Sequence, residues 1–310
     1  MEREKQPIYR FAHFAMGTTF EIVVAAKDKT YAGQVSRAVF DEINRIEGLF
    51  SRFNPCSEIG QINNLEPGQS LNVGIEVFEC LETAAQIQRE TNGAFDINIG
   101  SLLKYRWNTV RRSRKMSSET MQLPVDLSRS SRNFTVRVRK ERDEYLADGV
   151  ELDLGGIGKG YALDKIADIL TDWSIDRALI HGGTSTALAI GAAPAGDSEK
   201  KGWPVGIARG WACPNAPKEF YLKDRALSGS GTEVKGKHVF DPRTGSPAKG
   251  HMAAWVSHPS AAIADALSTA FMVMSTEEVK NYCDHNPKVW AQVIIDAETC
   301  RIFNKEITST

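Results

Sequence analysis

Four glycines in six positions, Gly155-Gly156-Ile157-Gly158-Lys159-Gly160, constrain this chain more than any other feature. A run so poor in side chains reads as a tight turn, because glycine tolerates conformations and close backbone approaches that other residues do not. Glu151-Leu152-Asp153 reads as the end of a short strand before it. Tyr161 to Trp173 reads as a helix after it, with Leu163, Ile166, Ile169 and Leu170 on its apolar side. Such a loop either packs helix on strand or cradles phosphate, since bare N–H groups and a helix N-terminus favour an anion. Two familiar phosphate patterns fail here. A P-loop ending at Gly158-Lys159 would have Asp153 in place of its first glycine and Gly160 in place of its Ser/Thr. The dinucleotide fingerprint begun at Gly156 would need glycine at Tyr161. Asp153 and Lys159, which bracket the loop, still favour a functional reading, because they supply an acceptor and a phosphate-seeking cation.

The remaining chain mixes strands and helices without a regular βαβ rhythm, which predicts an α+β fold rather than a doubly wound sheet. Ile8 to Phe14 and Thr19 to Ala26 read as strands broken by Met16-Gly17-Thr18. Val35, Val39, Ile43, Ile46 and Phe50 have helical spacing, and Asn54-Pro55 follows as a stop. Val77 to Ile87 reads as a second helix ending at Thr91-Asn92-Gly93. Residues 108–132 are polar and aperiodic and read as an exposed excursion. Phe134, Val136 and Val138 alternate as a half-buried strand does. Ala178 to Ile180, Thr186 to Ile190 and Trp203 to Ile207 read as strands, Ala261 to Met274 as a helix, and Val289 to Ile295 with Arg301 to Phe303 as a hairpin pair.

Composition removes several function classes. Of 310 residues, 42% are hydrophobic, enough for a sizeable core, and 38 basic side chains balance 39 acidic ones. That balance lacks the basic excess of a nucleic-acid binder, and the Arg106 to Lys115 run reads as a solvated loop. The five cysteines are odd in number and scattered, so neither a disulfide framework nor a thiolate metal site follows. No window reaches the roughly 20 apolar residues of a membrane span, and no signal peptide or lipid anchor is visible. A cytoplasmic location is the expectation.

Two further features carry chemistry. In Ala264-Asp265-Ala266-Leu267-Ser268-Thr269 the Asp265 carboxylate and Thr269 hydroxyl lie four residues apart, on one helical face. Both are hard oxygen ligands suited to Mg²⁺. The alternative is a helix-start aspartate with Thr269 bonding back to a carbonyl. In His238-Val-Phe-Asp-Pro-Arg-Thr-Gly245 a histidine precedes a tight turn, and imidazole is the side chain best suited to proton transfer near neutral pH. An isolated histidine is also commonly structural.

Together with four more blocks, these features resemble the FAD:protein FMN transferases, also called ApbE-like flavin transferases. The other blocks are Met16-Gly17-Thr18, Ser51-Arg-Phe-Asn-Pro-Cys-Ser-Glu58, Gly93-Ala-Phe-Asp-Ile-Asn98 and Asp153 to Asp164. They occur in the family's order over residues 16 to 270. The resemblance implies one flavin-transferase domain over 1–310, with a core of 8–305 and two interleaved lobes whose cleft holds the flavin. Met16, Phe53, Ala94, Phe95, Asp96, Asp153, Lys159 and Val239 match cofactor contacts. Asp265, Thr269 and the Gly156 carbonyl match Mg²⁺ ligands, and His238 matches the proton-transfer residue. The implied reaction is Mg²⁺-dependent transfer of FMN from FAD to a Ser/Thr hydroxyl of an acceptor flavoprotein, releasing AMP. A Mg²⁺-dependent FAD pyrophosphatase and a non-catalytic FAD-binding module are the alternatives.

Three departures from the family pattern are present. Thr184-Ser185-Thr186 follows Gly182-Gly183 where an acidic residue is common. Asp96-Ile-Asn-Ile-Gly-Ser101-Leu lacks the usual proline and the Trp-Gly after it. Gly158 stands where alanine is common. None removes a metal ligand or His238.

Overall fold

The computed structural model describes residues 6–100, 123–131, 133–139, 150–194, 202–207, 219–231, 239–296 and 298–304. The chain opens with a hairpin, β1 (Ile8–Ala15) and β2 (Thr18–Ala25), whose last pair is Ala15 with Thr18. Its two-residue loop has φ of 51° at Met16 and 71° at Gly17, the double positive φ that a type I′ turn needs. Methionine is an uncommon occupant of that region. The Met16 amide is held there by Glu47 Oε1 at 2.7 Å. Glu47 lies on α1 (Lys29–Phe50), which Asp28 caps and which buries Val35, Val39, Ile43, Ile46 and Phe50 along one stripe.

Next come α2 (Glu58–Asn63), β3 (Ser70–Val73), α3 (Ile75–Glu90), β4 (Val125–Arg129) and β5 (Phe134–Val138). The three strands form a small antiparallel sheet in the order β3-β5-β4. β4 corrects part of the excursion read at 108–132: Leu123 and Val125 are buried, and Val125 pairs with Val138. Its apolar residues are too few to stand out from charged neighbours. Residues 108–122 lie outside the described residues.

The chain then runs through α4 (Gly158–Asp172), β6 (Ala178–Gly182), β7 (Thr186–Ile190), β8 (Trp203–Gly206), β9 (Glu219–Leu222) and β10 (Arg225–Gly231). After these come β11 (Phe240–Asp241), β12 (Ser246–Pro247), β13 (Ala253–His258), α5 (Ala261–Val273), α6 (Thr276–His285), β14 (Trp290–Ile294) and β15 (Cys300–Phe303). Eight strands build the main sheet, β1-β2-β6-β7-β10-β13-β14-β15, every neighbouring pair antiparallel. Val24 pairs with Ala178, so the small sheet and the first four helices lie in chain between two adjacent strands. That is the interleaving of an α+β fold.

The main sheet is covered on both faces. Phe20, Ile22, Ile180, Val256 and Val293 join the core made with α1, α4 and α5. On the other face Leu179, Trp255, Trp290 and Ile294 pack against Trp203, Phe220 and Leu222 of the β8–β9 hairpin. Burying roughly 150–250 Å² per aromatic ring makes that smaller core substantial.

Two expectations fail on local detail. Residues 151–153 form no ladder. Side chains supplement two backbone bonds, Asp153 amide to Ile97 carbonyl and Gly100 amide to Glu151 carbonyl: Asn98 Oδ1 accepts the Glu151 amide at 2.9 Å, and Asn63 brackets Leu152 through both its amide and its carbonyl. Cys56, Cys80 and Cys283 are free, but Cys300 is disulfide-bonded, with its partner outside the described residues. Among the described residues, no helix is long and apolar enough to cross a membrane.

Candidate functional site

Asp153 shapes the glycine loop. Its Oδ1 accepts the Gly155 amide at 2.8 Å, and its Oδ2 faces the Arg52 guanidinium at 3.2 Å. The turn closes when the Ile157 and Gly158 amides both donate to the Leu154 carbonyl. The N-cap residue of α4, Ile157, offers its first turn no side-chain hydrogen bond. The Gly158 and Gly160 amides of that turn are taken up by the Leu154 carbonyl and by Asp265, and the positive end of the helix dipole lies beside exposed Gly155 and half-buried Gly156. Lys159 adds charge there, with Nζ donating to the Gly155 carbonyl at 3.1 Å.

The loop meets α5 at close range, and Gly160 makes that approach possible. A β-carbon at Gly160 would collide with the Ala261 carbonyl. The Gly160 amide donates to Asp265 Oδ2 at 3.2 Å, and Lys159 Nζ lies 3.4 Å from the same oxygen. A β-carbon built on Gly156 would lie 3.4 Å from Thr269 Oγ1 and 3.3 Å from the Phe95 ring. Thus Gly156, Lys159, Asp265 and Thr269, drawn from two distant parts of the sequence, converge.

Asp265 is buried, at 3% exposed, and its donors come from three elements. Besides Gly160 and Lys159 on Oδ2, its Oδ1 faces Ser228 Oγ at 3.1 Å and Thr186 Oγ1 at 3.3 Å. Thr269 Oγ1 sits 3.4 Å from the Asp265 carbonyl and 3.5 Å from Ser230 Oγ. Among the described residues no three His, Cys, Asp or Glu side chains converge on a metal position. The Asp265 and Thr269 set is instead one carboxylate and one hydroxyl beside the backbone of Gly156, all oxygen donors. That set fits a hard cation that keeps water and substrate oxygens in its shell.

The remaining predicted residues surround this centre. A β-carbon at Gly158 would come 3.5 Å from Met16 Cε, so the β1–β2 turn abuts the loop. Ala94 and Phe95 are buried. Asp96 accepts the Asn98 amide at 2.8 Å, yet burial pushes its carboxyl up to about 6. Phe53 is 83% exposed, its ring stacked by the Arg52 guanidinium 4.5 Å from the centroid. Val239 is half-buried, and its carbonyl accepts the Ala248 amide. The turn after it is tied down by Arg243, which binds Asp241 and, at 2.8 Å, Glu278. His238 lies outside the described residues.

Sequence reasoning missed Arg52, Thr186, Ser228, Ser230 and Ser268. The alternation Ser228-x-Ser230 in a strand was a signal that both hydroxyls share a face. A groove of about 670 Å³ between α3 and α4, lined by Glu79, Arg89, Tyr161 and Lys165 among others, includes none of the predicted site residues.

Residues 16–293 match the model of the ApbE family. The curated FAD:protein FMN transferase of Escherichia coli K12 is 24% identical over 280 residues, covering 86% of this chain and 78% of that protein. The one from Treponema pallidum is 28% identical over 292 residues, covering 87% and 80%. Among solved structures, the Thermotoga maritima ApbE protein superposes with a TM-score of 0.76 at 25% identity, over 96% of this chain and 97% of that one. The apo flavinyl transferase ApbE of Pseudomonas stutzeri gives 0.77 at 22% identity, over 98% and 97%.

Proposed function

The chain belongs to the ApbE family, and on that premise we propose that it is an FAD:protein FMN transferase. It moves the FMN half of FAD to a Ser or Thr hydroxyl of an acceptor protein and releases AMP. The observation that carries this reading is the convergence of Asp265 and Thr269 on the glycine loop at the start of α4. A pyrophosphate needs its charge neutralised and its attacking oxygen aligned, and this corner of the fold supplies for both.

The positive end of the α4 dipole and the Lys159 ammonium attract the pyrophosphate oxygens. Phe53 and Met16 offer apolar surface to the flavin ring, while Phe95 closes the wall beside Gly156. Asp265, Thr269 and the Gly156 carbonyl would hold Mg²⁺, which when bound polarises phosphoryl oxygens. The acceptor oxygen bonds to the FMN-side phosphorus, and the bond from that phosphorus to the bridging oxygen breaks. The electron pair of the broken bond leaves with AMP. His238 takes the proton of the acceptor hydroxyl.

Incubating the protein with FAD and Mg²⁺, with and without an acceptor protein, tests the reading. Covalent FMN on the acceptor with equimolar AMP is the expected result. Free FMN and AMP without acceptor would make it a pyrophosphatase, and unchanged FAD a binding module. Asp265→Ala should abolish Mg²⁺-dependent transfer while the protein stays folded. Normal transfer by that variant would remove the metal assignment.

A further inference from the structure

The two oxygens of Asp265 are served by different parts of the fold. Oδ2 faces α4, through the Gly160 amide and Lys159. Oδ1 faces the sheet, where Thr186 of β7 and Ser228 of β10 stand directly opposite each other in register. Their hydroxyls are 2.9 Å apart, and Ser228 and Thr186 lie 3.1 and 3.3 Å from Oδ1. All three side chains are buried, at 2%, 0% and 3% exposure for Thr186, Ser228 and Asp265.

Counting protons orders this cluster. An ionised carboxylate only accepts, and each hydroxyl has one proton to give. Ser268 sends its proton to the Asp265 carbonyl at 2.9 Å, leaving its oxygen to accept from Ser230 at 2.9 Å. It therefore has none for the carboxylate. The two shortest remaining contacts make a chain in which Thr186 donates to Ser228 and Ser228 donates to Asp265 Oδ1. Such chains polarise one another in a low-dielectric interior.

We infer that Ser228, backed by Thr186, is a positioning residue for the metal site: the pair holds Asp265 Oδ1 on the sheet and so fixes the orientation of the carboxylate towards the glycine loop. The inference rests on the assignment of Asp265 as a metal ligand. Partners that orient a ligand in this way typically change metal affinity by about 10- to 100-fold when removed. Thr186 lies within the Thr184-Ser185-Thr186 stretch that departs from the family pattern, so this chain places hydroxyl chemistry at the mouth of β7.

Binding of Mn²⁺ to FAD-free protein, read by electron paramagnetic resonance with Mg²⁺ as competitor, tests it. Wild type should bind Mn²⁺, and Asp265→Ala should not. Ser228→Ala should bind about 10- to 100-fold more weakly, the nearly isosteric Thr186→Val less severely so, and Ser228→Thr should restore affinity. In transfer assays the loss should fall on the half-saturating Mg²⁺ concentration rather than on turnover at saturating Mg²⁺. Wild-type Mn²⁺ affinity in Ser228→Ala overturns the inference. If Ser228→Ala does not fold, wild-type affinity in folded Thr186→Val overturns it equally. Wild-type protein that binds no Mn²⁺ removes the metal assignment and the inference with it. Protein that binds Mn²⁺, weakens as described and transfers no FMN upholds the positioning while overturning the transferase reading.

Discussion

Asp164 in α4 accepts the hydroxyl of Ser260, the N-cap of α5, at 2.7 Å. The same carboxylate takes the Ala261 and Ala262 amides at 2.7 and 3.0 Å. Burial holds its carboxyl above the usual range despite those donors. One side chain thus ties the helix that starts at the glycine loop to the start of the helix that carries Asp265. Asp164→Ala should cost about 2 kcal/mol, the sum of a lost cap and lost charge-assisted bonds, and Asp164→Asn about half as much. Urea unfolding midpoints measure both. An unchanged midpoint in Asp164→Ala would show that the tie is dispensable.

Gly160 and Gly158 should respond differently to alanine. At Gly160 the new methyl meets the Ala261 backbone, which cannot move without separating α4 from α5. Gly160→Ala should cost more than about 2 kcal/mol and weaken cation binding, because the Gly160 amide leaves Asp265. At Gly158 the methyl meets Phe50 Cδ2 at 3.3 Å and Met16 Cε at 3.5 Å, both side-chain atoms able to shift. Gly158→Ala should stay within about 1 kcal/mol of wild type. Thermal melts of the two variants rank them directly, and a reversed order would refute the packing argument.

Acid should loosen the start of α5. His258 Nδ1 accepts the Ser260 amide at 3.0 Å, and burial pushes its pKa down to about 4. The folded protein therefore binds this proton less readily than the unfolded chain, whose histidine titrates near 6.5. The stability from neutral His258 is complete above about pH 6.5 and is lost as pH falls towards 4, by up to about 3 kcal/mol. Asp96, pushed up to about 6, opposes it, since its folded form gains stability as it protonates on acidification. His258→Asn keeps an acceptor but removes the titration. Its stability between pH 6.5 and 4 should fall less than that of wild type, and parallel curves would disprove the assignment.

His238→Ala should bind FAD with near-normal affinity yet transfer FMN about 10²- to 10⁴-fold more slowly, the usual contribution of a general base. Its pH–rate profile should also lose the limb that ionises near neutrality. Equal losses of FAD binding and transfer would make His238 a cofactor contact and move the base elsewhere.

Some elements were plain in the sequence because burial is one-sided. α1 shows its buried stripe from Val35 to Phe50 at helical spacing, and β5 alternates along Phe134, Val136 and Val138. β13 was missed because five of its six residues are buried, which erases alternation. β10 was missed because its Ser-Gly-Ser-Gly stretch has no apolar signature at all. α6 has only Val279, Tyr282 and Cys283 buried, too few to mark a period among its charges.

The sequence alone determined the parts whose cause is local. The Gly155-Gly160 turn follows from missing β-carbons, the shared face of Asp265 and Thr269 from helical period, and the tight turn at Asp241 to Gly245 from proline and glycine. Its ordered blocks also identified the family. Only the tertiary structure decided which groups complete each local piece. It seated Ser228 and Thr186 on Asp265 through strand register, set Gly160 against Ala261 through helix contact, and linked Arg52 to Asp153. Those pairings depend on distances between segments far apart in the chain, and residue spacing carries no record of such distances until the core has packed.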